Sequence, residues 1–138
     1  EPSSHDKAVA YAVFDGHTHG DMKTYAYRTA NYGETWNSIV TDEVEGFARS
    51  FQEDYENPNL LFLGTEFGLF ITLDGGLSWT AFRNNMPPVA VHYMEMQRGT
   101  NDLVLGTHGR GVIIIDDISP LRKFNEEILG STERLRFP

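Results

Sequence analysis

Thr72-Leu73-Asp74-Gly75-Gly76-Leu77-Ser78-Trp79 decides the fold, because Thr29-Ala30-Asn31-Tyr32-Gly33-Glu34-Thr35-Trp36 is a degenerate copy of it upstream. Thr29 precedes Thr72 by 43 residues, and Trp36 precedes Trp79 by the same interval. An aspartate or asparagine followed two residues later by glycine is turn chemistry: the short side chain bonds nearby backbone and glycine supplies a positive φ. The tryptophan after each turn anchors the next strand, which makes Trp36 and Trp79 core residues in equivalent places. Self-similarity at this period with strand-like flanks indicates β-propeller blades rather than a helical solenoid.

Around the second copy a full unit is legible. Phe47 to Gln52, Leu60 to Leu63, Leu69 to Thr72 and Ser78 to Phe82 read as four strands, separated by the loops Glu53 to Asn59 and Gly64 to Gly68 and by the motif itself. One blade needs four strands in about 40 to 45 residues, and this unit supplies them. A third unit follows in Val89 to Met96, Leu103 to Leu105 and Val112 to Ile115, with Gly106 to Gly111 in place of the Gly64 to Gly68 loop. Asp117 falls 43 residues after Asp74, but Ile118-Ser119-Pro120 replaces the glycine and no tryptophan follows. Upstream, Ala8 to Phe14, Thr24 to Thr29 and Thr35 to Val40 form a first unit without an inner strand, which a partner's segment or the tail Glu133 to Phe137 is expected to supply. The blades thus span 8–41, 44–86 and 89–117 of a single domain, the first and third incomplete. Ser119-Pro120 reads as an N-cap with proline at the first helical position, opening a short helix over Leu121 to Leu129 that Gly130 stops; helix and tail occupy 119–138. The strands are apolar on consecutive positions rather than alternating, so both faces of each sheet are covered.

Bulk properties narrow the function classes. The 138 residues include no cysteine, which excludes disulfides and thiolate chemistry. A formal charge of −9 repels a phosphate backbone and disfavours nucleic acid as a partner. No apolar run approaches the roughly 20 residues of a membrane span. The start, Glu1-Pro2-Ser3-Ser4, carries neither an initiator methionine nor a signal-peptide pattern, so a processed or excised piece is expected.

On the two turn motifs, the Gly64-Thr65-x-x-Gly68 loop and Gly106-Thr107-His108-Gly109-Arg110-Gly111, the chain resembles the Asp-box (BNR) repeat proteins over roughly Ala8 to Leu121. More closely, it is similar to the sortilin-like propellers described as glycosyl hydrolase, BNR repeat. The resemblance implies an all-β fold of four-stranded antiparallel blades, here the last two to three of a larger propeller. Thr29, Asn31, Gly33, Trp36, Thr72, Asp74, Gly76 and Trp79 would be the structural Asp-box positions, on the face away from the ligand site. Asn31 in place of aspartate and the lost box after Asp117 depart from the pattern. The resemblance favours a secreted, periplasmic or cell-surface location, and no cofactor is expected. Three stacked blades leave two apolar faces uncovered, so the expected partners are further copies in a homo-oligomer or neighbouring blades of a larger chain.

Alternate hairpins of a blade emerge on opposite faces, so the Asp15 to Lys23, Gly64 to Gly68 and Gly106 to Gly111 loops share the face opposite the Asp boxes. That face gathers Asp15, His17, His19, Asp21, Glu66, His108 and Arg110. Asp15, His17, His19, Glu66, His108 and Arg110 are candidates for binding a glycan or protein ligand. His17 and His19, flanked by Asp15 and Asp21, have metal-ligand composition, though their spacing matches no established site. A glycosidase needs two carboxyl groups about 5 to 9.5 Å apart. Asp15, Asp21 and Glu66 are the catalytic candidates, and sequence cannot place them. Tyr93, Met94 and Met96 are expected to line a central channel from an inner strand. The expected function is a non-catalytic propeller segment serving as a scaffold or binding module. The alternative is part of a glycoside hydrolase whose remaining catalytic groups lie on missing blades or another subunit.

Overall fold

The computed structural model describes residues 1–16, 19–21, 23–83 and 89–123. Within them, ten strands form three antiparallel sheets, each a meander in chain order. The first holds β1 (Ala10–Phe14), β2 (Tyr25–Thr29) and β3 (Asn37–Ser38). The second holds β4 (Ala48–Glu53), β5 (Leu61–Thr65), β6 (Gly68–Thr72) and β7 (Thr80–Phe82). The third holds β8 (Val91–Gln97), β9 (Asp102–Thr107) and β10 (Val112–Ile115). The register repeats with the sequence: Tyr27 faces Ser38 in the first sheet as Phe70 faces Ala81 in the second.

Side chains alternate across a strand, and in β5 and β6 both sets are apolar. Leu61, Leu63 and Phe70 point one way and meet Val9, Tyr11, Ala26 and Ile39 between the first and second sheets. Phe62, Leu69 and Ile71 point the other way and meet Met94, Leu103, Leu105 and Ile115. The second sheet is therefore buried on both faces, and β4 touches both β1 and β8 at the inner edges. Met94 belongs to this core, with the partly buried Met96 packed against it, whereas Tyr93 is exposed.

The two turn motifs fold alike. Thr72 Oγ1 donates to Asp74 Oδ1 (2.5 Å) and accepts from the Gly76 N–H (3.0 Å), while the Ser78 N–H (3.0 Å) and Oγ (2.7 Å) donate to the Asp74 carboxylate. Asn31 reproduces the pattern: Thr29 Oγ1 and the Thr35 N–H donate to its Oδ1, both at 2.9 Å, and its Nδ2 donates to Thr35 Oγ1 at 2.8 Å. Where the carboxylate accepts from a hydroxyl, the amide donates to one, so the substitution keeps the turn.

The tryptophans differ. Trp79 is 3% exposed and its Nε1 donates to the Ile39 carbonyl of the first sheet (2.7 Å). Gly76 permits the approach, since a Cβ there would lie 2.9 Å from both Ile39 Cβ and Ile39 O. Trp36 is 43% exposed, contrary to its expected place in a core. The motif aims each indole at the preceding sheet, and the first sheet has none before it among the described residues.

The inner edge of the first sheet is taken by the chain's own start. Pro2 bridges Ala10, the Tyr11 N–H donates to the Glu1 carbonyl (2.8 Å), and the Ser3 N–H to the Val9 carbonyl (3.0 Å). The expected donors of that edge are thus replaced; Glu133 to Phe137 lies outside the described residues. Downstream, Ser119–Lys123 is a 3-10 turn, and Asp117 caps it by accepting from the Ser119 N–H (3.1 Å) and Oγ (2.5 Å), so Ser119 is not the cap. The rest of the expected helix lies outside the described residues. Arg122, 43 residues beyond Trp79, makes two bonds to the fully buried Asp54 (2.8 and 2.9 Å) and lies 4.7 Å from the Tyr55 ring centroid. No helix among the described residues is long and apolar enough to cross a membrane.

These contacts predict two stability effects. A Cβ at Gly64 would lie 2.2 Å from Ser50 Oγ and 2.7 Å from the Val91 carbonyl, so Gly64→Ala should cost about 1–3 kcal/mol in urea unfolding. Gly99→Ala, facing open space, should stay within about 0.5 kcal/mol. Arg122→Ala removes the counter-charge of a buried carboxylate, leaving it the Glu56 and Asn57 N–H groups as donors, and should cost about 3 kcal/mol by the same measurement.

Candidate functional site

A repeated irregularity in the inner strands builds the polar site. Between the pairs Ala48↔Thr65 and Ser50↔Gly64, Arg49 is the extra residue of a bulge in β4. Between Val91↔Thr107 and Tyr93↔Gly106, His92 is the extra residue in β8, 43 residues later. A bulge bends its strand and re-aims the side chain it carries. Both bulges lie at the end of the sheets where the β5–β6 and β9–β10 hairpins turn. The Asp turns lie at the other end, where the Gly75 N–H donates to the Asn59 carbonyl (3.0 Å).

Arg49 Nη1 reaches Asp15 Oδ2 at 3.1 Å as the chain leaves β1, and both side chains are about a quarter exposed. The His92 ring lies 5.2 Å from that of His108, centroid to centroid, tilted by 32°. The His108 N–H is anchored to the Ala90 carbonyl (3.1 Å). The Arg49 and Asp15 charges act on His92, so the two pairs, Asp15–Arg49 and His92–His108, form one row contributed by all three sheets. Desolvation pushes the His92 imidazole below its usual value of 6.5, and the Arg49 and His108 charges push it the same way; Asp15 opposes them.

Asp15 and His108 were legible in the sequence, whereas Arg49 and His92 were not singled out. Their separation by the repeat interval was the available signal. The other candidates have their own surroundings. Glu66 is half-buried over Gly46, with its Cγ 2.9 Å from where a Cβ would sit, and its N–H donates to the Phe47 carbonyl (3.3 Å). Asp21 accepts from the Tyr25 hydroxyl and from the Lys23 N–H (3.1 Å), which hold its carboxyl below the usual range. His19 and Arg110 are exposed, and His17 lies outside the described residues. Among the described residues no three His, Cys, Asp or Glu side chains gather as a metal site.

Two concave surfaces open at the Asp-turn end instead. One, of about 300 Å³, is lined by Glu1, Gln52, Glu53, Tyr55, Glu95 and Arg98. The other, of about 600 Å³, is lined by His5, Tyr11, Arg28, Glu53, Asn59 and Asp74 among others. Burial raises the carboxyl of Glu1 in the first, against the pull of the adjacent N-terminal ammonium.

No protein-family model matches the chain, and no curated protein does. Solved structures do match. An ancestral GH74 enzyme superposes on 79% of this chain with a TM-score of 0.60 at 20% identity. The GH74 enzyme of Niastella koreensis superposes on 83% with a TM-score of 0.65 at 13% identity. The chain spans only 12% and 19% of the lengths of these two enzymes. At such identities the likeness speaks for fold alone, and that fold is part of a β-propeller.

The site generates a titration prediction. Because folding lowers the His92 value, the neutral imidazole is the form that the folded state favours. The associated stability is complete above the ordinary imidazole range and falls as pH drops through 6.5 and below. Followed by NMR, His92 should titrate below 6.5, and Arg49→Gln should move it upward by removing a nearby cation; an unchanged or lower value in the variant would refute the assigned role of Arg49.

Proposed function

We propose that this chain is a segment of an Asp-box β-propeller of the BNR-repeat, sortilin-like kind, in which residues 8–41, 44–86 and 89–117 are successive blades. Its role is to present a non-catalytic binding face for a hydroxyl-rich ligand such as a glycan. The observation that carries this reading is the Asp15–Arg49–His92–His108 row across three sheets. The Asp15–Arg49 pair balances its own charge, and the two imidazoles add ring nitrogens that donate or accept, a set suited to neutral hydroxyls. A general acid needs a raised carboxyl, and Asp21 is shifted the other way.

The second reading, part of a glycoside hydrolase, draws support from the two GH74 enzymes that share the fold. One set of measurements separates the two. A glycan array probed with the protein should give binding that Arg49→Ala and His108→Ala each weaken by about tenfold or more, the worth of one charged hydrogen bond. Incubation with the bound glycan should release no reducing sugar. Release that Asp15→Asn or Glu66→Gln abolishes would overturn the non-catalytic reading.

A further inference from the structure

The first sheet carries a docking apparatus that no other sheet among the described residues fills. Its outward face presents Phe14, Tyr25 and Tyr27, with Phe14 and Tyr27 at 5.9 Å and Tyr25 and Tyr27 stacked at 6.4 Å between centroids. Trp36 joins them through the repeat: Tyr27 is the counterpart of Phe70, and Trp36 of Trp79. In the second sheet those counterparts are 2% and 3% exposed, because the first sheet covers them and supplies the Ile39 carbonyl to the indole. Gly33, at φ +88°, has among the described residues the Trp36 ring alone near its missing Cβ, whereas Gly76 has Ile39 seated against it.

We infer that this face receives another four-stranded sheet of the same repeat, carried on the same polypeptide, whose outer strand is followed by an aliphatic residue. That residue would sit against Gly33 and give its backbone carbonyl to Trp36 Nε1, as Ile39 does for Gly76 and Trp79. The occupant follows from continuity with the existing interface. The operation that carries the first sheet onto the second, run once backwards, places a sheet on this face with the register already set. The same polypeptide is the source because this piece makes up only 12% and 19% of two enzymes with the same fold. The inference rests on the propeller assignment and not on the ligand, so a failed glycan experiment leaves it standing.

The test oxidises tryptophan with N-bromosuccinimide in the longest polypeptide encoded with this segment, natively folded, and reads each tryptophan peptide by mass spectrometry. Trp36 should be spared together with Trp79, and both should react once urea unfolds the protein. Native oxidation of Trp36 with Trp79 spared would overturn the proposal. So would sparing that disappears on dilution as the mass halves, which would assign the face to a second copy of the chain. No substitution is needed, so misfolding of a variant cannot obscure the result.

Discussion

The stacking of these sheets depends on one contact, the Trp79 indole held against the first sheet with its N–H on the Ile39 carbonyl. Burying a side chain of that size removes about 150–250 Å² from water, worth about 4–6 kcal/mol, against about 1 kcal/mol for the hydrogen bond. The apolar term therefore supplies the stabilisation. The hydrogen bond selects where it is realised, because a buried indole N–H without an acceptor is costly. Gly76 completes the arrangement by leaving room for Ile39 where any side chain would collide. With that distance fixed, Leu61, Leu63 and Phe70 close on Val9, Tyr11 and Ala26.

Between the second and third sheets a different device does the same work. Gly64 brings β5 close to Ser50 and Val91, and the Ser50 hydroxyl donates to the Val91 carbonyl (2.8 Å). At the outer side, Arg122 occupies the place the repeat gives to tryptophan and closes on Asp54 instead of an apolar surface. The bulges at Arg49 and His92 flank the Gly64 contact, so the close approach of the inner strands and the polar row are one construction. A regular ladder would place these residues on the alternating faces of the sheet. The extra residue frees them to turn toward the hairpin end.

The apolar faces at the two ends of the stack express the same repeat. Val112 and Ile114 are 65% and 56% exposed, while Leu69 and Ile71, 43 residues earlier, are almost wholly buried. Equivalent residues thus differ in environment only through the presence of a neighbour. Trp36 is exposed where Trp79 is buried for that reason: a motif specifies the direction of a side chain, and burial needs a second surface to meet it.

The sequence by itself determined the repeat, its 43-residue interval, the turn chemistry of Asp74 and Asn31, the strands around them and the loop that delivers His108, because these depend on local backbone preference and side-chain period. Only the tertiary structure decided that Arg49 and His92 are bulge residues, that Asp15 pairs with Arg49, that Asp21 folds back onto Tyr25, and that Glu1 to Ser3 fill the inner edge of the first sheet. Each of these is a contact between segments distant in the chain or a one-residue slip in pairing. Residue type and local spacing carry no record of either until the strands are laid side by side.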